Sequence, residues 1–322
     1  MNFLDELNDI QREAVVNFEG PTLIVAGPGS GKTRVLTYRI AYLLQQDVNP
    51  FSILSLTFTN KAAEEMRHRI ETIAGTNARS LFMGTFHSVF ARILRVEAQR
   101  LGYPSNFTIY DTEDSRSLIK SIIKEKNLDD KIYKPNQIQY RISSAKNALI
   151  LPDDYLLDAE LISEDRAQKR PETGSIYKAY CERCFKSSAM DFDDLLLKTH
   201  EIITTFPDVL YKYQHKFRYI LIDEFQDTNP LQYSIVKRIA DVFQNITVVG
   251  DDAQSIYAFR GATIDNILNF EKDFPDLKVF KLEQNYRSTQ HIVTAANKLI
   301  QNNKHQIKKE IWTSNNEGEK IK

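Results

Sequence analysis

The amino-acid sequence predicts an α/β protein, in which a parallel sheet is flanked by helices and interrupted by a mostly helical insertion. Six short runs of apolar or β-branched residues have the nearly continuous hydrophobicity of strands buried on both faces of a sheet. They span residues 23–26, 53–57, 81–83, 219–222, 246–249 and 277–282. Helical patterns alternate with them at 34–44, 62–72, 88–100 and 231–242. Ligands of such open sheets bind at the carboxyl ends of the strands, so the residues after each run form the candidate site.

The alternation of strands and helices stops between residues 106 and 189, where the pattern is mostly helical. Residues 116–146 hold 8 Lys and Arg against 3 Asp and Glu, and the balance reverses over residues 153–172. The basic half suits contact with a phosphate backbone. It equally suits a solvated helical face, and both interpretations remain open.

Composition and charge narrow the class of protein. The 322 residues predict two compact units, or one unit with an insertion. The formal net charge of −1 means that any polyanion site must be a local patch. Cys181 and Cys184 lack the further ligands that structural zinc needs, so their spacing fits one face of a helix in a reducing compartment. Without a signal-peptide pattern or an apolar run of about 20 residues, we expect a soluble, cytoplasmic protein with no membrane partner.

A glycine-rich loop follows the first predicted strand and precedes a helix. Its residues are Ala26-Gly27-Pro28-Gly29-Ser30-Gly31-Lys32-Thr33, which match the phosphate-binding P-loop except that the small Ala26 replaces the first glycine. Gly29 and Gly31 allow backbone N–H groups to surround phosphates at the N-terminus of the helix. Lys32 supplies a charge for the β- and γ-phosphates, and the Thr33 hydroxyl supplies a ligand for Mg²⁺.

An acidic pair, Asp223-Glu224, ends the fourth predicted strand. P-loop proteins hold their metal ion with an acid at the end of a neighbouring strand, a role that suits Asp223. The adjacent Glu224 suits a general base for the attacking water. Asp-Glu also occurs in ordinary turns, so the pair gains its weight from the P-loop.

The fifth predicted strand leads into a segment with Gln254, Tyr257, Phe259 and Arg260. Gln254 both donates and accepts hydrogen bonds, which suits the detection of a γ-phosphate or its attacking water. Aromatic faces beside an arginine suit stacking on the bases of a single strand. The spacing alone favours buried core aromatics, so the segment does not decide between the two interpretations.

Together these motifs resemble those of the superfamily 1 DNA helicases of the UvrD/Rep/PcrA group. The matching segments follow the family's order along nearly the whole chain. They are Leu7-Asn8 with Gln11, Thr57-Phe58-Thr59-Asn60-Lys61-Ala62-Ala63, Gly84-Thr85-Phe86-His87-Ser88, Asp191-Phe192-Asp193-Asp194-Leu195, Asp223-Glu224-Phe225-Gln226-Asp227-Thr228, Gln254-Ser255-Ile256-Tyr257 and Asn285-Tyr286-Arg287-Ser288. The resemblance implies a RecA-like ATP-binding domain formed by residues 1–105 and 190–287. It also implies a helical insertion at 106–189 and the start of a truncated second RecA-like domain at 288–322.

The resemblance also implies roles for residues around the nucleotide. Gln11 is expected to read the adenine edge and Tyr286 to stack on the adenine ring. Arg34 is expected near the nucleotide, and Gln254 and Arg287 are expected to contact the γ-phosphate. ATP and Mg²⁺ are the cofactors that follow.

A DNA track is the next implication. Its expected residues are Phe58, Asn60, His87, Phe192, Tyr257, Phe259 and Arg260. The family often has Trp at the position of Phe259 and Asp at that of Ala253. The implied partners are single-stranded DNA and single-strand/duplex junctions.

Two hypotheses about activity follow. In the first, the chain is the N-terminal ATP- and DNA-binding part of a 3′–5′ helicase or translocase. Alone, it should then be a weak ATPase, since the family's second domain supplies an arginine worth roughly 10³–10⁵ in rate. In the alternative, the chain is a stand-alone nucleotide- and DNA-binding module without motor activity. Such a module has no use for the catalytic set of Lys32, Asp223, Glu224, Gln254 and Arg287, which favours the first hypothesis.

Overall fold

The computed structural model describes residues 3–255, 263, 265–303 and 306–321. Its strands are β1 (Thr22–Ala26), β2 (Ile53–Thr57), β3 (Phe82–Thr85), β4 (Thr108–Tyr110), β5 (Ala189–Asp191), β6 (Tyr219–Ile222), β7 (Ile246–Gly250) and β8 (Lys278–Leu282). Its helices are α1 (Asp9–Val16), α2 (Lys32–Gln45), α3 (Asn60–Ala74), α4 (Phe86–Glu97), α5 (Thr112–Glu125), α6 (Pro135–Asn147), α7 (Pro152–Leu157), α8 (Ala159–Ala167), α9 (Thr173–Lys186), α10 (Phe192–Thr205), α11 (Pro207–Lys216), α12 (Pro230–Ala240), α13 (Asp265–Leu268), α14 (Phe270–Asp273) and α15 (Gln290–Ile300).

Six of these strands form one parallel sheet in the order β3-β2-β6-β7-β1-β8. The predicted α/β class is confirmed, and each of the six predicted runs is a strand whose ends lie within two residues of the predicted ones. β1 lies between β7 and β8, since Leu23 pairs with Val248 on one side and with Val279 on the other. The carboxyl ends of all six strands therefore meet at one edge of the sheet, and each is followed by a predicted site segment.

Burial explains why these runs form strands. Every residue of β1, β2 and β7 is buried, as expected for strands covered on both faces. The buried side chains of α2, including Val35 and Ile40, share one apolar cluster with Ile24 of β1 and Leu221 of β6. Each such side chain contributes about 1.5–3 kcal/mol on burial. This cluster holds the glycine-rich loop and the acidic pair on a rigid base.

Two compact units divide the chain. Unit 1 comprises Met1–Val89, Tyr211–Asn229 and Val236–Lys322, and it contains the six-stranded sheet. Unit 2 comprises Phe90–Leu210 and Pro230–Ile235. In the parts of the chain that the structure describes, no helix is long and apolar enough to cross a membrane.

Unit 2 is mostly helical, with one short parallel pair of strands, β4 and β5. One of its apolar clusters joins Leu94 of α4, Phe107, Met190 of β5 and Leu195 of α10. Because these side chains share a cluster, the unit extends beyond residues 106–189 at both ends. A second cluster, which includes Tyr177, fills the space between α5, α6, α7 and α9.

Candidate functional site

The glycine-rich loop leaves β1 and leads into α2. Gly29 (φ +68°) and Gly31 (φ +87°) have left-handed backbones, which cost other residues about 1–2 kcal/mol. Space requires glycine as well, because a Cβ at Gly29 would lie 2.8 Å from Cβ of Arg287, and one at Gly31 would lie 3.0 Å from Nε2 of Gln11. Gly31 directly precedes the first turn of α2, whose N–H groups lack partners within the helix and favour anions.

Contacts from outside and within fix the rest of this loop. The Ser30 hydroxyl donates to the carbonyl of Gly27 (2.7 Å), which closes the loop after the buried Ala26. The Gln11 side chain is buried, and its Nε2 donates to the carbonyl of Ser30 (3.0 Å). A Cβ at Gly27 would overlap Cδ1 of Ile311, so that side chain packs directly on the loop. Gln11, predicted to read adenine, therefore contacts the loop itself.

The acidic pair lies beside the loop's lysine and threonine. Nζ of Lys32 is 3.3 Å from Oε2 of Glu224. Burial, reinforced by the charge of Glu224, raises the pKa of Asp223 to about 6, and a hydrogen bond with the Thr33 side chain acts in the opposite direction. Glu224 has φ +49° and ψ +46°, a left-handed conformation that costs a non-glycine residue about 1–3 kcal/mol and is typical of functional sites. The structure brings these four predicted residues together.

The loop after β7 is held by contacts from two directions. The Gln254 amide donates to the carboxylate of Asp251, and the backbone N–H of Asp251 donates to Oε1 of Gln226 (3.0 Å). Nζ of Lys309 lies 2.9 Å from Oδ1 of Asp251 and also pairs with Asp252. The loop that carries Gln254 is therefore held by Gln226, in the segment that follows β6, and by Lys309.

The segment after β8 is fastened to the glycine-rich loop. Nδ2 of Asn285 donates to the carbonyl of Pro28 (2.6 Å), and the N–H of Tyr286 donates to the carbonyl of Gly29 (3.0 Å). Oδ1 of Asn285 accepts the N–H of Arg287 (2.8 Å). These bonds bring the predicted γ-phosphate ligand Arg287 to the loop.

The two remaining predicted nucleotide residues lie nearer the surface. Tyr286 is 48% exposed, and its hydroxyl accepts a hydrogen bond from Nδ2 of Asn8 (2.8 Å). Arg34 forms an ion pair with Glu6 (2.5 Å) and lies 5.3 Å from the ring centroid of Tyr38. Tyr286 therefore offers an accessible ring beside the loop, whereas Arg34 is engaged by other residues of unit 1.

Three predicted DNA residues follow β2 and β3, which are neighbours at one side of the sheet. Phe58 is half-buried, with its ring centroid 5.8 Å from that of Phe86. Asn60 is exposed at the first residue of α3, and His87 is the second residue of α4. Burial lowers the pKa of His87, which favours its neutral ring. Tyr257, Phe259 and Arg260 lie outside the described residues.

Phe192, the fourth described DNA residue, belongs to unit 2, where it begins α10 and is 49% exposed. A buried ion cluster supports this helix end: Nζ of Lys146 lies 2.7 Å from Oδ2 of Asp191 and 2.8 Å from Oδ1 of Asp194. The Tyr180 hydroxyl donates to the same Oδ2 of Asp191 (2.8 Å). Asp191 also caps α10 by accepting the N–H of Asp194.

The charges of this buried ion cluster shift one another's pKa values. Burial would lower the pKa of Lys146, but the two carboxylates outweigh it and raise that pKa well above its usual value. Burial would raise the pKa of Asp191, but the charge and hydrogen bond of Lys146 hold it below its usual value. Burial and the charge of Asp191 raise the pKa of Asp194 to about 6. Lys146 is therefore charged at neutral pH.

Sequence reasoning assigned no role to Gln226, Asn285 and Lys309, which organise the site in unit 1, or to Lys146, which supports the start of α10 in unit 2. Gln226 and Asn285 stand inside matched motifs, so their position in the motif was the available signal. Lys146 and Lys309 stand among other polar residues, and no local pattern singles them out.

Comparisons with known proteins identify the family of the chain. The family model described as the UvrD/REP helicase N-terminal domain matches residues 7–275, and the one described as the UvrD-like helicase C-terminal domain matches residues 280–322. The chain is 49% identical over 324 residues to the ATP-dependent DNA helicase PcrA of Bacillus subtilis (strain 168), covering 99% of this chain and 42% of that protein. It is 48% identical to the PcrA helicase of Staphylococcus aureus (strain Mu50 / ATCC 700699), covering 99% of this chain and 43% of that protein.

A third relative is the PcrA helicase of Staphylococcus epidermidis (strain ATCC 35984), which is 48% identical over 316 residues, or 98% of this chain and 42% of that protein. The chain thus spans less than half the length of these relatives. Identity at this level extends over nearly the whole chain and includes both units. The chain belongs to the UvrD/REP helicase family.

Proposed function

We propose that this chain is the N-terminal ATP- and single-stranded-DNA-binding part of an ATP-dependent DNA helicase or translocase of 3′–5′ polarity. One observation carries the proposal. At one edge of the sheet, the P-loop lies beside an acidic pair and a segment that presents Arg287 to it. The relatives' name, ATP-dependent DNA helicase, supports the same function.

In the proposed reaction, this chain's own residues bind and polarise the nucleotide. The loop N–H groups and Lys32 hold the phosphates, while Gln254 and Arg287 contact the γ-phosphate. The water oxygen bonds to the γ-phosphorus, and the bond from that phosphorus to the β-phosphate oxygen breaks to release ADP. Oε2 of Glu224, which also lies 3.3 Å from Nζ of Lys32, accepts the proton of the water. Gln11 and Tyr286 complete the nucleotide-binding surface at the adenine.

The residues present fit a magnesium ion. Thr33 and Asp223 would contribute oxygen ligands, which Mg²⁺ prefers, and this ion typically uses one or two carboxylates together with substrate phosphates. Asp223 is buried beside the partly exposed Glu224, so a cation would stabilise the charge of a desolvated carboxylate there. When bound, the ion would neutralise charge that develops on the phosphate oxygens.

We further propose that Phe58, Asn60 and His87 in unit 1, and separately Phe192 in unit 2, are residues that bind single-stranded DNA. Phe58 and Phe192 keep exposed ring surface, which suits base stacking worth about 1–3 kcal/mol each. Tyr257, Phe259 and Arg260 would extend this track, and single-strand/duplex junctions would be the substrate for unwinding.

The proposed division of labour assigns ATP binding to residues 1–105 and 190–287 and a helical insertion to 106–189. Residues 288–322 would begin a second RecA-like domain, which supplies the other wall of the nucleotide cleft. By itself, the 322-residue chain should then hydrolyse ATP weakly. We also place the protein in the cytoplasm, where its DNA substrate and reduced thiols would be found.

The experiment is an ATPase assay of the complete polypeptide that contains this chain, with and without single-stranded DNA. Glu224→Gln keeps the size of the side chain and removes the base, so kcat should fall about 10²–10⁴-fold. Nucleotide binding should persist, because the loop and Lys32 are unchanged. ATP hydrolysis that DNA does not stimulate, or a Glu224→Gln variant with normal kcat, would contradict the proposal.

The same measurements distinguish the alternative. If the chain is a binding module, the complete polypeptide should bind nucleotide and DNA but should not hydrolyse ATP. Robust DNA-stimulated turnover by the isolated 322-residue chain would instead contradict the proposed need for a second wall.

A further inference from the structure

We propose that Gln226 is a positioning residue that makes ATP hydrolysis depend on DNA, by linking the segment that carries Glu224 to the loop that carries Gln254. The inference rests on the proposed ATPase and goes beyond it, since it names the side chain through which occupancy of the DNA track reaches the general base.

The two ends of the Gln226 amide bond to two different segments. Its Nε2 donates to Oε2 of Glu224 (2.9 Å), and its Oε1 accepts the backbone N–H of Asp251 (3.0 Å). The side chain is buried, with the residue 2% exposed. Among neutral side chains, an amide offers both a donor for a carboxylate and an acceptor for an N–H group. Glutamine therefore fits this position chemically, whereas glutamate would place two carboxylates together.

The fold leaves room for this link at Gly250, the last residue of β7. A Cβ there would lie 2.8 Å from Oε1 of Gln226 and 3.2 Å from Cδ1 of Ile267. The φ of Gly250 is not in the left-handed region, so space rather than backbone conformation requires glycine. A third bond comes from Ser255, whose hydroxyl donates to the carbonyl of Gln226 (3.2 Å). Side chain and backbone of Gln226 are thus both tied to residues 251–255.

The link ends on the groups that matter for the reaction. Oε2 of Glu224, which Gln226 contacts, is the oxygen that lies 3.3 Å from Nζ of Lys32. At the other end, the carboxylate of Asp251 accepts the Gln254 amide and the N–H of Ala253 (3.1 Å). A displacement of residues 251–255 therefore moves Gln254 and, through Gln226, the carboxylate of Glu224.

Residues 251–255 continue directly into Tyr257, Phe259 and Arg260, the proposed DNA residues of this segment. Bases stacked on that segment would pull on the loop after β7. Gln226 would transmit the displacement to Glu224 over two hydrogen bonds. Hydrolysis would then be fastest when both the nucleotide and the strand are bound.

The test compares kcat and KM for ATP of the complete polypeptide with and without single-stranded DNA, for the wild type and for Gln226→Met. Methionine keeps the length and loses both polar atoms. The ratio of kcat with DNA to kcat without should fall about tenfold or more, the effect of losing a hydrogen bond to a charged group. The KM for ATP should change less than about threefold, because the Gln226 side chain bonds to Glu224, Asp227 and Asp251 and, in the described part of the chain, makes no hydrogen bond to the P-loop. Gly250→Ala, which crowds the link from its other side, should lower the same ratio and keeps the test valid if the methionine variant fails to fold.

Gln214→Met is the matched control. Gln214 is a buried glutamine of unit 1 whose Nε2 donates to the carbonyl of Arg238 (2.9 Å), which joins α11 to α12 rather than the two site segments. It should leave the DNA-to-basal ratio unchanged. A Gln226→Met variant that lowers both rates in proportion would show a merely structural role and overturn the inference. A wild type without DNA-stimulated hydrolysis would instead overturn the proposed function.

Discussion

Replacing Lys146 with methionine should destabilise unit 2 by about 3–5 kcal/mol, because it leaves two carboxylates buried without their cation. The Lys146 side chain is 0% exposed and the side chains of Asp191 and Asp194 are 12% and 7% exposed, so water cannot compensate for the lost charge. Methionine retains most of the volume, so a cavity contributes little. The expected loss is a large part of the 5–15 kcal/mol that usually stabilises a domain.

The two cysteines provide a local assay for this loss. Cys181 and Cys184 both lie in unit 2, and burial raises the pKa of each thiol to about 12, so alkylation in the native state should be slow. Opening of unit 2 exposes both thiols. At about 1.4 kcal/mol per factor of ten, the alkylation rate of Lys146→Met in native buffer should rise roughly 100- to 4000-fold above that of the wild type.

A neutral version of the buried ion cluster is the control. Lys146→Met combined with Asp191→Asn and Asp194→Asn removes all three charges, and asparagine still caps α10. Its alkylation rate should return to within about tenfold of the wild-type rate, because neutral replacements of buried ion pairs are often tolerated. A single variant that alkylates at the wild-type rate, or a triple variant as reactive as the single one, would rule out a cost from the unpaired carboxylates.

Three further predictions concern pH and the glycine-rich loop. The pKa of Asp194 is raised to about 6 in the folded protein, so the free energy of unfolding should be highest below about pH 4 and should decline as pH rises through 6. In urea titrations from pH 4 to 7.5, Asp194→Asn should remove this decline. Asp223 must be ionised to hold Mg²⁺, and its pKa is also about 6. The apparent Mg²⁺ affinity in the ATPase assay should therefore fall about tenfold per pH unit below 6. An affinity that is equal at pH 5.5 and 7.5 would argue against Asp223 as a ligand. Gly29→Ala should weaken binding of a fluorescent ATP analogue about tenfold or more, since the added Cβ would strain the backbone and contact Arg287. Gly20 also has a left-handed backbone (φ +80°), but a Cβ there would have no atom of the described residues within 4 Å, so the Gly20→Ala control should bind the analogue normally.

The sequence predicted the sheet and the glycine-rich loop because both depend on local patterns. Continuous apolar runs indicate strands that are buried on both faces. Gly29 and Gly31 indicate a left-handed backbone, which is unfavourable for other residues. The neighbourhood of Lys32 and Glu224 followed from the rule that parallel strands present their carboxyl ends at one edge. These parts of the site required no knowledge of packing.

Contacts between distant segments were not predictable in the same way. Lys146 and Asp191 are 45 positions apart, and nothing near either residue indicates its partner. Lys309 reaches Asp252 across 57 positions, from a stretch that looks like an ordinary polar segment. Such pairs depend on how helices and loops pack in three dimensions, and the periodicity of one segment does not indicate which distant residue it will contact.

The bonds that fasten the segment after β8 to the glycine-rich loop have a mechanical consequence. Asn285 and Tyr286 hold the carbonyls of Pro28 and Gly29, so the chain leaves the sheet attached to the loop itself. A force applied to the chain after Ser288 would reach the glycine-rich loop through these two hydrogen bonds and through the packing of Ile311 on Gly27, and it would reach the loop after β7 through Lys309. The glycine-rich loop would therefore carry part of that load, and its backbone geometry would change with tension.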